Sequence, residues 1–198
     1  MILAYHVIFG AYGFWMPNDP RGTWSDFVGS WDLYHFGHAK PHGARAELSE
    51  ESERRLLEMK RSLKFSAVQF NGPQAQSIGT GFGIAAEKSK IKILRCSILP
   101  QHVHLIIAYH QIKIRYLVGM LKGEATKQME RDQRHPLSGH VDRFGQTPTP
   151  WNVKCWTVYL DDNVGISNAI RYVDANPIKE GKPRQVWGFE HPFQLLDA

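Results

Sequence analysis

The sequence predicts an α+β fold built on an antiparallel sheet, and three observations predict it. Short runs rich in β-branched and aromatic residues recur at Ala4 to Phe9, Ile91 to Leu99, Ile98 to Tyr109 and Trp151 to Leu160. Segments of helical periodicity stand between and after them, the clearest from Lys113 to Arg131. Their order is strand, helices, strand, strand, helix, strand and a last helix, a βαββαβ sandwich with helices covering one face of the sheet.

A chain of 198 residues is long enough to bury one core, so one domain over 1–198 is expected, with an insertion at about 10–47 and a tail at about 178–198. With 42% hydrophobic and 22% charged residues the composition is that of a soluble globular protein. No apolar run approaches the ~20 residues a membrane helix needs. The start, MILAYHVIFG, lacks a basic flank and a small-residue cleavage pattern; it reads as a first strand, and a cytoplasmic protein with no membrane partner is expected. Cys96 and Cys155 are too few and too far apart for a zinc knuckle, and reduced, buried thiols are expected. A formal net charge of +5 tilts the odds toward a polyanionic partner without naming one.

Ala4 to Phe9 (AYHVIF) reads as a central strand, with His6 a polar residue of the sheet rather than a ligand. From Gly10 to Gly43 the pattern breaks into a Gly-, Pro- and Asp-rich insertion with many aromatics. Trp15, Trp24, Trp31, Tyr34 and Phe36, interleaved with Arg21 and Lys40, are able to stack bases at ~1 to 3 kcal/mol each. The stronger reading is a satellite core holding a long loop. His35, His38 and His42 have ligand-like spacing but no anchoring partner.

Ser49 is placed to cap a helix that is acidic in its first turn (Glu50, Glu51, Glu53) and basic at its end (Lys60, Arg61), with Leu56, Leu57 and Leu63 inward. Pro73 opens a second helix in which Ile78, Phe82 and Ala86 recur every four residues. Gly79, Gly81 and Gly83 weaken that assignment, and without a Gly-Lys-Ser/Thr they make no nucleotide loop. In the helix from Lys113, the stripe Ile114, Leu117, Val118, Leu121, Ala125 and Met129 faces inward, while Lys113, Arg115, Lys122, Lys127 and Arg131 make a basic face. Asp161, Asp162 or Asn163 caps the last helix, whose Ile166, Ala169, Ile170 and Val173 seek a core; Pro177 is expected to end it at Asn176. The tail packs back through Trp187, Phe189 and Phe193.

Chemistry concentrates in two places. In ILPQHVHLIIAY, Val103, Leu105 and Ile107 face a core while His102 and His104 point together to the other face. Two imidazoles on a rigid strand make a possible metal platform, although two satisfied polar residues would look the same. In the last helix Tyr172 and Asn176 stand four residues apart on one stripe.

These residues carry a resemblance. LPQHVHLII resembles the histidine-hydrophobic-histidine (HUH) motif of single-tyrosine transposases, and RYVDANPIKEG resembles the tyrosine helix and Asn-Pro of the REP-associated tyrosine transposases. AYGFWMPNDPRG after the first strand and LVGMLKGEATKQM are similar to the same superfamily. The resemblance runs from residue 4 to about 181 and implies a ferredoxin-like or RRM-like βαββαβ fold. It implies that His102, His104 and Asn176 hold a divalent metal, Mg2+ or Mn2+, and that Tyr172 is the nucleophile. The implied reaction is cleavage and strand transfer of single-stranded, stem-loop DNA through a 5′-phosphotyrosine link, by a monomer or homodimer. Backbone contacts are expected from Lys113, Lys122, Lys127 and Arg171, with Arg21 and Trp15 from the insertion. Gln101 and NPIKEG depart from the commoner Asn and NPVRAG, and neither removes a reacting group. Two other classes remain: a hairpin-binding protein without catalysis, and a metal-dependent hydrolase using water.

Overall fold

The computed structural model describes residues 1–14 and 50–194. Trp15, Arg21, Ser49, and the other aromatics, Lys40 and the histidines of the insertion fall outside the described residues. The described elements run β1 (Ala4–Gly10), α1 (Glu50–Arg61), α2 (Gly72–Ser89), β2 (Ile93–Ile98), β3 (His102–Ala108), α3 (Ile114–Arg131), β4 (Trp156–Leu160) and α4 (Asn163–Lys179). The strands form one antiparallel sheet in the order β2-β3-β1-β4. This is the predicted α+β fold class, with one helix placed differently.

Strand alternation sorts the core into two layers. Tyr5, Val7 and Phe9 of β1 and Val103, Leu105 and Ile107 of β3 pack with Ile78, Phe82 and Ala85 of α2 and Leu117, Leu121 and Ala125 of α3. Ala4, Leu94, Ile106 and Leu160 join a second cluster with Ile166, Ala169, Ile170 and Val173 of α4. Helices therefore cover both faces rather than one, and α4 lies on the side that carries the histidines. Ile106 is the reason: it shares the face of His102 and His104, is fully buried, and needs a helix over it. A buried isoleucine or valine contributes about 1.5 to 3 kcal/mol, so the α4 stripe docks there.

The glycines of α2 are contact points, which is why they do not break the helix. A Cβ on Gly81 would lie 2.5 Å from Ala125 Cα and 2.7 Å from Ala125 N, so α2 and α3 cross backbone to backbone. Gly79 meets the Trp187 ring, and Gly83 lies against Phe189. The N-terminus of α2 is held by Asn71, whose side chain accepts from Gln74 N while Gln74 returns a bond to Asn71 N. We expect Gly81→Ala to destabilise the fold by about 1 to 3 kcal/mol, because overpacking against backbone outweighs alanine's better propensity. Gly123→Ala, with nothing within 4 Å of its Cβ, should instead stabilise by up to about 1 kcal/mol. Urea unfolding of the two variants tests the contrast.

Three boundaries differ from expectation. In α1 the inward residue is Met59, fully buried, whereas Leu57 is 55% exposed; the side chain of Leu56 is outside the description. The last strand starts at Trp156, not Trp151, leaving an isolated bridge between Ala11 and Trp151. The carbonyls of Asn152 and Lys154 turn to Lys122 Nζ, at 2.7 and 3.4 Å, and are lost to strand pairing. Cys155 accordingly precedes the strand, half-buried, while Cys96 is buried in β2; both are free thiols.

The third difference positions the site. Helix α4 passes through Pro177 and continues to Lys179. Its end is set by Gly181, at φ +68°: Gly181 N donates to Ile178 O (3.0 Å) and Lys182 N to Pro177 O (2.8 Å), the paired bonds of a left-handed glycine cap. The sequence rule weighted the proline's missing N–H and overlooked the glycine four residues on. The tail then follows the outer edge of β2: Gln185 exchanges both amide bonds with Ile98, and Glu190 accepts from Cys96 N at 2.7 Å. An open strand edge is thereby covered.

Candidate active site on the histidine face

The register β1 to β3 pairs Ile8 with His104, His6 with Ile106 and Gly10 with His102. All three histidines fall on the α4 face. His104 is 4% exposed, and its Nδ1 lies 3.0 Å from His6 Nε2. One ring must donate and the other accept. If His104 donates through Nδ1–H, its Nε2 keeps a lone pair, the state a metal-binding imidazole requires. His102, whose ring is 4.9 Å from that of His104, is stacked flat on Phe14 at 5.1 Å and 4°. That stacking fixes its plane.

Burial keeps these rings neutral. It pushes the His6 imidazole down to about 4, and His104 well below the usual histidine range through burial first, then the neighbouring His102 and His6. Between the ordinary value near 6.5 and about 4, the unfolded chain binds a proton at His6 that the folded chain refuses. Stability is thus full above about pH 6.5 and falls as pH drops, by up to about 1.4 kcal/mol per unit. Thermal melts at pH 7, 6 and 5 should show this loss, and His6→Gln should flatten it.

Helix α4 delivers the remaining groups. Asp162 caps it by accepting from Gly165 N, and the buried stripe of Ile166, Ala169, Ile170 and Val173 sets its rotation. Tyr172 then stands at the edge, 45% exposed, with its ring centroid 5.6 Å from His104 and 5.8 Å from His6. Lys179 Nζ lies over the face of the Tyr172 ring at 5.0 Å. Asn176, one turn on, is 8% exposed and carries a buried Nδ2 without a hydrogen-bond partner. Amide oxygen and nitrogen are placed by inference, and the flipped amide would offer an oxygen there. Glu180 Oε1 lies 3.9 Å from His102 Nε2.

The cations expected to contact DNA are dispersed. Lys113, Lys122 and Lys127 belong to α3 or its start, across the sheet from the histidines. Lys122 is turned inward to the two carbonyls and over the Phe9 ring at 4.9 Å; burial pushes its ammonium down to about 8. Lys127 pairs with Glu124 at 3.2 Å. Arg171 is exposed beside Tyr172 and bonds Asn168. The residues that sequence reasoning left out of the site are His6, Phe14, Lys179 and Glu180. Parity along AYHVIF against HVHLII was the available signal for His6. Among the described residues no three His, Cys, Asp or Glu side chains already gather around one point, so a third donor to the His102 and His104 pair has to come from elsewhere, as Asn176 offers.

Residues 62–173, more than half of the chain, match the sequence profile of a family described as IS200-like transposases. The chain belongs to the IS200-like transposase family. The matched stretch contains His102, His104 and Tyr172 and stops before Asn176. Among solved structures, a REP-associated tyrosine transposase bound to a REP hairpin is similar at 11% identity, over 99% of this chain and 88% of that one, with a TM-score of 0.49. A candidate transposase from Deinococcus radiodurans R1 is similar at 14% identity, over 92% of both chains, with a TM-score of 0.42. No curated protein matches the sequence. As an IS200-like transposase, the protein is assigned to DNA transposition. Among the described residues, no helix is long and apolar enough to cross a membrane.

Proposed function

We propose that this transposase cuts and rejoins single-stranded DNA at stem-loops, with Tyr172 as nucleophile and a divalent cation, Mg2+ or Mn2+, on His102, His104 and Asn176. The observation that carries the reading is the approach of the Tyr172 ring to the paired imidazoles of His104 and His6 within one chain. The phenol oxygen attacks phosphorus, a 5′-phosphotyrosine bond forms and the P–O3′ bond breaks, with the proton going to the departing 3′ oxygen. A 3′-hydroxyl from a second strand reverses the step and restores the phenol.

The donor set suits a hard cation: two neutral imidazoles, one held in a fixed tautomer by His6, and an amide aimed into a buried position. Such an ion supplies charge to polarise the scissile phosphate. Lys179 holds a positive charge against the Tyr172 ring, favouring the phenolate that each reversal releases. Arg171, beside Tyr172, is the described cation best placed for an adjoining phosphate, while exposed Lys113 and Lys127 suit flanking DNA on the other side. Completion of the site in one chain supports a monomer able to perform the cut.

The test incubates the protein with single-stranded stem-loop oligonucleotides from the flanks of its gene, labelled at the 3′ end, with Mg2+, Mn2+ or chelator. A labelled protein adduct that needs the metal is expected. Free 5′-phosphate without linkage would instead mark a hydrolase, and binding without any cut a hairpin-binding protein.

A further inference from the structure

The extension of α4 through Pro177 places a third polar residue in line. Tyr172, Asn176 and Glu180 follow at intervals of four, so they share one stripe of the helix, and the Gly181 cap fixes where Glu180 stands. Glu180 Oε1 is 3.9 Å from His102 Nε2. That gap is too long for a hydrogen bond, which spans about 2.7 to 3.2 Å. It does match two donors on a common ion: with metal–ligand distances of about 2.1 Å, donors lie about 3.0 Å apart at neighbouring octahedral positions and about 4.2 Å apart at opposite ones.

We infer that Glu180 is a further ligand of the cation, lying across from Asn176 and bringing the only negative charge to the set. The inference rests on the metal reading above and deepens it. His102, held by Phe14, is the fixed side of the pair. Glu180, 40% exposed at the helix end, is the side that moves, closing by a rotamer change rather than by backbone shift. A carboxylate added to two imidazoles and an amide shifts preference from Zn2+ toward Mg2+ and Mn2+. It also offsets the ion's charge beside a phosphate that is itself anionic.

The alternative role for this carboxylate predicts the opposite sign. If Glu180 merely pairs with His102, it competes with the ion for the imidazole, and removing its charge would leave binding unchanged or tighten it. As a ligand, it should bind more weakly once neutralised. Mn2+ binding to the DNA-free protein, followed by the loss of the free-ion EPR signal, separates the two. Glu180→Gln is expected to weaken Mn2+ about tenfold, a ligand-shell effect of ordinary size. Asp174→Asn makes the same charge change on α4 at a residue that faces Arg95 and Arg184, and should change binding less than about twofold. Unchanged or tighter binding in Glu180→Gln, or equal weakening in both variants, overturns the inference. His102→Ala reports on the underlying reading: if Mn2+ binds it as well as the parent protein, the metal site itself is misplaced, whereas its loss there with no effect at Glu180 removes only Glu180.

Discussion

Phenylalanine at position 172 is expected to abolish the covalent DNA adduct while leaving the fold and stem-loop binding in place. The substitution removes one oxygen from a side chain that is 45% exposed, so its cost to stability should stay within about 0.5 kcal/mol. The ring keeps its edge contacts with His6 and His104 and its cover by Lys179. Nothing else in the described site can take over the attack at phosphorus without changing the product. His6 and His104 face one another, and water would give a free 5′-phosphate. Loss of a nucleophile commonly lowers the rate by about 10³ or more, which takes adduct yield below detection in a gel assay. Affinity for the stem-loop, read by anisotropy, should move less than about threefold. Persistence of the adduct would remove Tyr172 from the mechanism, and a large loss of binding would recast it as a DNA contact.

Much of this arrangement was legible in the residues, for a physical reason. The alternation in HVHLIIA separates Val103, Leu105 and Ile107 from His102 and His104, and the structure keeps that separation. The stripe Ile166, Ala169, Ile170, Val173 was equally plain, because burial on a helix must repeat with the turn. What the stripe rests on was not plain. A helix can dock on either face of a sheet, and only the apolar Ile106 between two polar neighbours hints that the histidine face is covered. His6 was undervalued because one histidine in one strand says nothing about its diagonal neighbour on another. Pairing that sets it 3.0 Å from His104 is a property of the register, 98 residues apart. Pro177 misled for a different reason. Its missing N–H is an absolute local fact, whereas the price of leaving one carbonyl unbonded near a helix end is small, and the Gly181 cap decides the boundary. The three glycines of α2 likewise looked like weakness and turned out to be the surface on which α3 and the tail aromatics approach.

Asparagine at position 104 should separate what the two nitrogens of His104 do. An asparagine side chain places an amide N–H close to where Nδ1 donates to His6, and has no atom where Nε2 lies. Binding of His6 is therefore kept and the outward donor lost. The fold should survive with a loss of about 1 to 2 kcal/mol from the smaller side chain in a site only 4% exposed. Mn2+ binding and metal-dependent cleavage should fall by about a hundredfold or more, since loss of a ligand must cost at least what loss of a ligand's supporting partner does. His104→Ala is the informative contrast. It removes both nitrogens and leaves His6, 8% exposed, without its partner at the site, adding about 1 to 3 kcal/mol of destabilisation. Equal cleavage losses with unequal melting temperatures would show that Nε2 serves the reaction and Nδ1 the scaffold. Cleavage at the parent rate in His104→Asn would mean that the ion, and with it the chemistry assigned to this face, is held elsewhere.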